Sequence, residues 1–177
     1  MVRPIVIIGG AIPAILALLI AVPMITNPQV PFSAANADDK ISIELIKYDL
    51  KKISFGITER LTPQKSETLS ISDDGLLRYT LNVPNEPTVE KTMTLDKSQV
   101  TKLTALVKET GFMQLPMDSI PADESVTEYT KFSLKITLNG KTKQIQWPQQ
   151  NATSSFIPPL ISNFESELEG LLNQTKN

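Results

Sequence analysis

The sequence predicts an α+β fold, in which two helices pack on one face of an antiparallel β-sheet and a single N-terminal transmembrane helix precedes the domain. Three observations lead to this prediction. Residues 5–25 contain no charged side chain. Further along, apolar and polar residues alternate on both sides of two glycine-containing turns, as in half-buried strands. Two later segments repeat apolar residues at helical spacing.

The uncharged segment at residues 5–25 is long enough to cross a membrane. At about 1.5 Å per helical residue it reaches about 31 Å, which matches the roughly 30 Å hydrocarbon core of a bilayer. Arg3 precedes the segment, and positive charge on that side keeps the N-terminus in the cytoplasm. We therefore expect residues 1–25 to anchor the chain in the lipid bilayer. Residues 26–40, with two prolines and no periodic pattern, are predicted to be a flexible tether.

A cleaved signal peptide is the alternative to an anchor. Ala35 and Ala37 form an Ala-x-Ala site immediately before Asp38, and cleavage after Ala37 would release a secreted domain. The apolar segment, however, exceeds the roughly 7 to 15 residues of a signal core. No cysteine is present to carry a lipid anchor. Both alternatives place residues 41–177 outside the cytoplasm.

Composition excludes several classes of function. The chain has no histidine and no cysteine, which removes serine and cysteine protease triads and thiolate zinc sites. Without disulfides, an exported domain depends on hydrophobic burial. All 19 acidic residues and every basic residue except Arg3 follow the apolar segment, so the domain is mildly acidic and shows no footprint for nucleic acid. We expect no cofactor, no metal and no enzymatic activity.

The first strands can be placed from alternation and turn chemistry. Residues 41–48 alternate, and the pattern resumes at residues 53–57, which leaves either one bent strand or two short ones. The sequence Asp-Asp-Gly at residues 73–75 suits a three-residue hairpin loop. That loop sets Ile71 opposite Leu77, so the apolar side chains share one face.

A second hairpin turn at Asn139 and Gly140 predicts the other half of the sheet, since both residues tolerate positive φ. A two-residue turn sets Leu134 opposite Ile145 and places Phe132 opposite Trp147. The intervening polar residues then lie on the opposite face. The sheet is thereby predicted to have one dry and one wet face.

Two helices are predicted to cover the dry face. A strand at residues 89–95 leads into a helix that begins at Asp96, with Gln99 completing a capping box, and ends at Gly111. A closing helix begins at the prolines of residues 158–159. Its apolar residues recur at helical spacing: Leu160, Ile161, Phe164, Leu168, Leu171 and Leu172.

Candidate functional residues fall in the loops. One apolar stretch lies outside any periodic element, and its residues either contact a partner or cover the core: Met113, Leu115, Met117 and Ile120. Asn151 and Asn173 begin acceptor sequons for N-glycosylation, which only an exported domain could use.

Carboxylates are the only obvious catalytic candidates. Asp73 and Asp74 could bind calcium or form a glycosidase pair, but adjacent aspartates before a glycine are typical turn formers. Four more acidic residues crowd one loop, either as solvated side chains or as a divalent-cation site: Asp118, Asp123, Glu124 and Glu128. An enzyme that uses carboxylates alone therefore remains a further hypothesis.

The order of these elements between residues 53 and 172 resembles small cell-envelope domains of uncharacterised families, and it is distantly similar to the emfourin-like inhibitors of thermolysin-type metalloproteases. The likeness rests on Gly56, the two hairpins, the capped helix and the closing helix. It departs from the inhibitor family in its single first-strand glycine and in its membrane segment. The resemblance implies a non-catalytic protein binder and assigns no inhibitory residue. The sequence favours an accessory or assembly subunit of a membrane complex, with a protease-inhibitor-like module as the alternative.

Overall fold

A computed structural model describes residues 34–176 of the 177-residue chain. The fold is α+β, with six antiparallel strands and two α-helices. The strands are β1 Ile41–Phe55, β2 Thr58–Ile71, β3 Leu76–Asn82, β4 Val89–Thr94, β5 Glu128–Leu138 and β6 Lys141–Pro148. The helices are α1 Lys97–Glu109 and α2 Pro159–Lys176.

The six strands form one sheet in the order β4-β3-β2-β1-β5-β6. Strand β1 lies inside the sheet and is one continuous strand of 15 residues, which decides between the two alternatives left open by the sequence. Asp49 pairs with Lys65, whereas Leu50 pairs with Pro63. Gln64 is therefore an extra residue in β2, a β-bulge that shifts the register of the hairpin at this point.

Both predicted hairpin registers are confirmed. Ile71 pairs with Leu77 in the β2–β3 hairpin. In the β5–β6 hairpin Leu134 pairs with Ile145, and Phe132 stacks on Trp147 with ring centroids 5.4 Å apart. The length of each turn is thus enough to set the strand register that places the apolar residues on one face.

A single hydrophobic core lies between that dry face and the two helices. Buried residues of α1 and α2 belong to the same cluster as the apolar residues of β1, β2, β3, β5 and β6. Phe112, just beyond α1, packs edge-on against Phe164 of α2, with ring centroids 5.1 Å apart. Ile161 and Leu168 of α2 are likewise fully buried. The closing helix therefore supplies a large share of the core, as its apolar spacing predicts.

The predicted capping of α1 is confirmed in detail. The Asp96 carboxylate accepts a hydrogen bond from the Gln99 backbone, and the Gln99 side chain accepts one from the Asp96 backbone. Gly111 follows the helix with φ of 67°. This reciprocal pair satisfies two of the donors that a helix N-terminus leaves unpaired.

The wet face carries hydrogen-bonded polar pairs across β5 and β6. Thr137 contacts Thr142 at 2.9 Å, and the Gln144 amide donates to the Ser133 hydroxyl.

Lys143 is the one polar residue predicted among the apolar side chains of this hairpin. It pairs with the buried Ile136 and directs its ammonium to the Asp118 carboxylate at 2.6 Å. An ion pair therefore accommodates the lysine that interrupts the apolar alternation.

The predicted membrane segment at residues 5–25 lies outside the described residues, as does most of the predicted tether. Within residues 34–176, neither helix combines the length and the apolar character needed to cross a bilayer.

Candidate functional site

The apolar loop predicted as a contact surface packs against the core. Ile120 is 8% exposed, and Met113, Leu115 and Met117 are partly buried against the hydrophobic cluster. The loop is fixed to β6 because the Ile120 backbone N–H donates to the Gln146 carbonyl. The apolar side chains of the loop thus cover part of the core.

The two predicted glycosylation residues lie on the surface. Asn151 is exposed in a short 3₁₀ turn after β6, and Asn173 is exposed on α2. The sequon hydroxyls are buried: Thr153 donates to the Pro121 carbonyl, and Thr175 donates to the Leu171 carbonyl. Use of either sequon stays a prediction.

The candidate catalytic carboxylates are engaged separately. Asp74 accepts a hydrogen bond from the Leu76 backbone, which is the turn-forming role. Asp118 pairs with Lys143, while Asp123 accepts from the backbone and hydroxyl of Ser154. Among the described residues, no group of three acidic side chains could hold a metal ion.

A row of charged residues crosses the dry face where the apolar residues end. The Lys65 ammonium contacts Glu67 at 2.5 Å, and the Tyr79 hydroxyl donates to the same carboxylate at 3.1 Å. Glu67 is only 6% exposed. Its hydrogen bond raises the pKa of Lys65, and burial together with its charge raises the pKa of Tyr79 to about 12.

The row continues to α2 through two further contacts. Lys47 on β1 pairs with Glu169, and the Trp147 indole N–H donates to Glu165 at 3.2 Å. Burial raises the pKa of the Glu165 carboxyl; the Trp147 hydrogen bond opposes this and the Glu169 charge adds to it. These contacts fasten α2 to the interior strand β1 and to the edge strand β6.

Two open grooves border this row. A groove of about 390 Å³ lies beside the bulge, next to Asp49 and Lys65, and one of about 320 Å³ lies between Trp147 and α2. Within residues 34–176, no buried side-chain nitrogen or oxygen lacks a hydrogen-bond partner. The buried polar groups of the charged row thus find their hydrogen-bond partners within the domain.

The strongest candidate for a functional surface is a projecting hairpin, residues 52–61, which we name the ribbon. Pairing of β1 with β5 stops at Lys51, and pairing of β2 with β3 begins only at Ser66. Beyond these points the two strands pair with each other alone. In the described part of the chain, no further strand pairs with the outer edge of residues 59–65.

The tip of the ribbon is apolar and exposed. Gly56, with φ of 68°, and Ile57 form the turn between the paired residues Phe55 and Thr58. Ile57 at the tip is fully exposed, and Leu61, which pairs with Lys52 at the base of the ribbon, is 41% exposed. An exposed apolar side chain beside an open strand edge makes the ribbon a candidate contact surface.

The base of the ribbon is tied to the neighbouring loop. The Lys52 backbone N–H donates to the Thr127 carbonyl at 2.7 Å, and the Lys52 ammonium donates to the Glu124 carbonyl at 2.8 Å. The same ammonium lies 3.4 Å from Glu59 across the hairpin. A two-stranded ribbon is marginally stable in water by itself. These contacts therefore attach the base of the ribbon to the neighbouring loop.

The ribbon lies at the far end of β1 from Ile41, where the domain begins. The fourteen steps between the 15 residues of β1 span about 46 Å at roughly 3.3 Å per residue. The apolar tip is therefore separated from the start of the domain by the length of the sheet.

Comparisons with known proteins found no family model and no curated protein that matches this chain. The resemblance to emfourin-like inhibitors thus stays a prediction from the order of elements.

Proposed function

We propose that the chain is a membrane-anchored, extracytoplasmic protein-binding domain that acts as an accessory or assembly subunit of a membrane protein complex. The ribbon is the observation that carries this proposal. A fully exposed isoleucine at the tip of a two-stranded hairpin gains nothing from the fold, because burial is what makes an apolar side chain stabilising. Contact with another protein supplies that burial.

The chemistry of the ribbon indicates how a partner binds. Residues 59–65 offer an open strand edge, and the Ile57 and Leu61 side chains offer apolar anchors. Backbone hydrogen bonds at an open edge provide affinity, while side-chain pockets on the partner provide specificity. The edge is interrupted by Pro63, which has no N–H, and by the bulge at Gln64. This interruption confines strand pairing to residues 59–62.

The uncharged segment at residues 5–25 supports a partner in the same membrane. A domain tethered to a bilayer searches a thin layer, so its effective concentration toward a membrane partner is high. Modest affinity at a small surface such as the ribbon is then sufficient for association.

The experiment compares the full chain with a ribbon variant after solubilisation of native membranes in mild detergent. We expect the wild-type chain to migrate with a partner in a complex larger than the monomer. Replacement of Ile57→Asp together with Leu61→Asp abolishes this migration. Val89→Asp is the matched control, because Val89 is a 45% exposed apolar residue on the edge strand β4. A wild-type chain that migrates as a free monomer contradicts the proposal, as does equal loss in the control.

The projecting ribbon also suits the second candidate, a protease-inhibitor-like module, because a narrow hairpin can enter an enzyme cleft. For this candidate we expect an excess of the purified full chain to lower the activity of a thermolysin-type protease. We expect the Ile57→Asp variant to lower that activity less than the wild-type chain does. Unchanged protease activity removes this candidate and leaves the accessory-subunit proposal intact.

A further inference from the structure

The segment before β1 is fastened to the domain by one buried carboxylate. Asp39 accepts hydrogen bonds from the Asn36 backbone at 2.6 Å, from the Lys108 ammonium at 2.5 Å and from the Asn139 amide at 2.8 Å. Its side chain is 5% exposed. Burial opposes ionisation of Asp39, but the three hydrogen bonds and the Lys108 charge outweigh it and lower its pKa to about 2. The carboxylate is therefore charged and fully engaged at neutral pH.

A second set of contacts fixes the neighbouring backbone. The Lys40 N–H donates to the Asn139 side chain, and the Asn139 N–H donates to the Lys40 carbonyl, both at 2.9 Å. The Asp39 N–H donates back to the Asn36 carbonyl at 3.1 Å, which closes residues 36–39 into a turn. We name this arrangement, Asn36 to Lys40 with Lys108 and Asn139, the clamp.

The clamp contains the predicted cleavage site. Ala35, Asn36 and Ala37 supply the small residues that a signal peptidase requires, and Asp38 follows the bond to be cut. That bond lies inside the turn closed by Asp39. Proteases generally bind substrate backbones in extended form, since strand-like pairing aligns the peptide bond with the catalytic groups. A turn held at both ends cannot adopt this form without local opening.

We propose that the Ala37–Asp38 bond is a processing site that folding of the domain closes. Before Asp39 docks, a signal-peptidase-type hydrolase can cut the bond: water adds to the Ala37 carbonyl carbon, the bond to the Asp38 nitrogen breaks, and a carboxylate and an amine are released. After Asp39 docks, the chain keeps its leader. The balance between anchored and released protein is therefore set by competition between clamp formation and cleavage.

The inference rests on the proposed export of the domain only for access to the peptidase. It does not depend on the ribbon or on any partner. It can thus be tested on the purified chain alone, separately from binding.

The experiment treats the full-length chain in detergent micelles with a purified type I signal peptidase and measures cleavage by mass spectrometry and N-terminal sequencing. A synthetic peptide of residues 26–43, which cannot form the clamp, is the substrate reference. We expect cleavage of the peptide between Ala37 and Asp38, and resistance of the folded wild-type chain.

Two variants open the clamp. Asp39→Ala removes the shared acceptor, and Lys108→Met removes its charged donor on α1. Loss of a charge-assisted hydrogen bond raises the open population about tenfold or more, and the cleavage rate rises with it. The matched control is Lys97→Met, an exposed lysine on the same helix, which keeps the wild-type rate.

Each outcome has a defined meaning. Cooperative thermal melting of the variants shows that they are folded. If Asp39→Ala does not melt cooperatively, the cleavage rate of the Lys108→Met variant is used to test the clamp instead. Faster cleavage of a folded clamp variant, with Lys97→Met unchanged, supports the inference. A wild-type chain cut as fast as the clamp variants overturns the role of the clamp. A peptide that is not cut at Ala37–Asp38 overturns the processing site itself.

Discussion

Tyr79 donates a hydrogen bond to Glu67 across the β2–β3 pair, and the carboxylate that accepts it is nearly buried, at 6% exposure. The Lys65 ammonium contacts the same carboxylate. A buried charge is tolerated only when its lone pairs are satisfied. This contact therefore stabilises the sheet where its apolar residues give way to charged ones.

Replacement of Tyr79→Phe should lower the free energy of unfolding by about 1 to 3 kcal/mol, because it withdraws a donor from a buried carboxylate. Urea denaturation of the folded domain measures the change. Tyr48→Phe is the matched control, since Tyr48 lies on the opposite face and is partly exposed. Equal effects of the two substitutions would show that the hydrogen bond to Glu67 contributes nothing specific.

Gly75 should tolerate no side chain, whereas Gly140 should tolerate one at moderate cost. Both have positive φ, at 84° and 79°. A Cβ on Gly75 would meet the Leu95 carbonyl oxygen at 2.7 Å, but a Cβ on Gly140 meets nothing within 4 Å. We expect Gly140→Ala to cost about 1 to 2 kcal/mol from backbone strain alone, and Gly75→Ala to cost clearly more. Thermal melting of both variants provides the comparison, and equal losses contradict it.

The domain should lose stability in acid, because protonation of Asp39 removes the contribution of its charged carboxylate. Its pKa is lowered from 3.8 to about 2, so its contribution is present above about pH 4 and is lost as the pH falls toward 2. We expect Asp39→Asn to be less stable than the wild type by about 1 to 2 kcal/mol at pH 7, and this difference to disappear as the pH falls through 2. A stability difference that does not change with pH is inconsistent with the clamp.

Glu165 should have the opposite pH dependence. Its pKa is raised, first by burial, so the charged form destabilises the folded state once the pH rises through the unfolded value of 4.5. We expect Glu165→Gln to raise the free energy of unfolding at pH 7, because glutamine removes the buried charge and still accepts from the Trp147 indole. The gain disappears below about pH 4. A loss of stability at pH 7 would mean that the charge of Glu165 is needed.

Most of the sheet could be predicted from local signals. The turns at Gly75 and Gly140 determine register through their length alone, and the capping box of α1 is visible as Asp96 and Gln99. Each of these features involves residues that are close in the sequence. For the same reason, the alternation of β5 and β6 predicted Phe132 opposite Trp147.

The ribbon and the clamp could not be predicted in the same way. The first half of β2 contains Pro63 and lacks alternation, because a ribbon exposed on both faces needs no apolar side. The clamp joins Asp39 to Lys108 and Asn139, which are 69 and 100 residues away in the chain. Side-chain contacts between residues so far apart in the chain leave no periodic pattern in the sequence. The alternation at residues 53–57 predicted that Ile57 lies in a half-buried strand, but β1 ends at Phe55 and Ile57 is exposed in the turn.

The most direct test of the account is site-specific photocrosslinking of the full chain in intact membranes, with a photoreactive residue in place of Ile57 and, as a control, in place of Val89. Burial of the ribbon tip by a partner predicts a defined adduct with a second membrane or envelope protein from position 57 and none from position 89. The same adduct pattern from both positions, or no adduct from position 57, would contradict the proposal that this protein acts by binding through its ribbon.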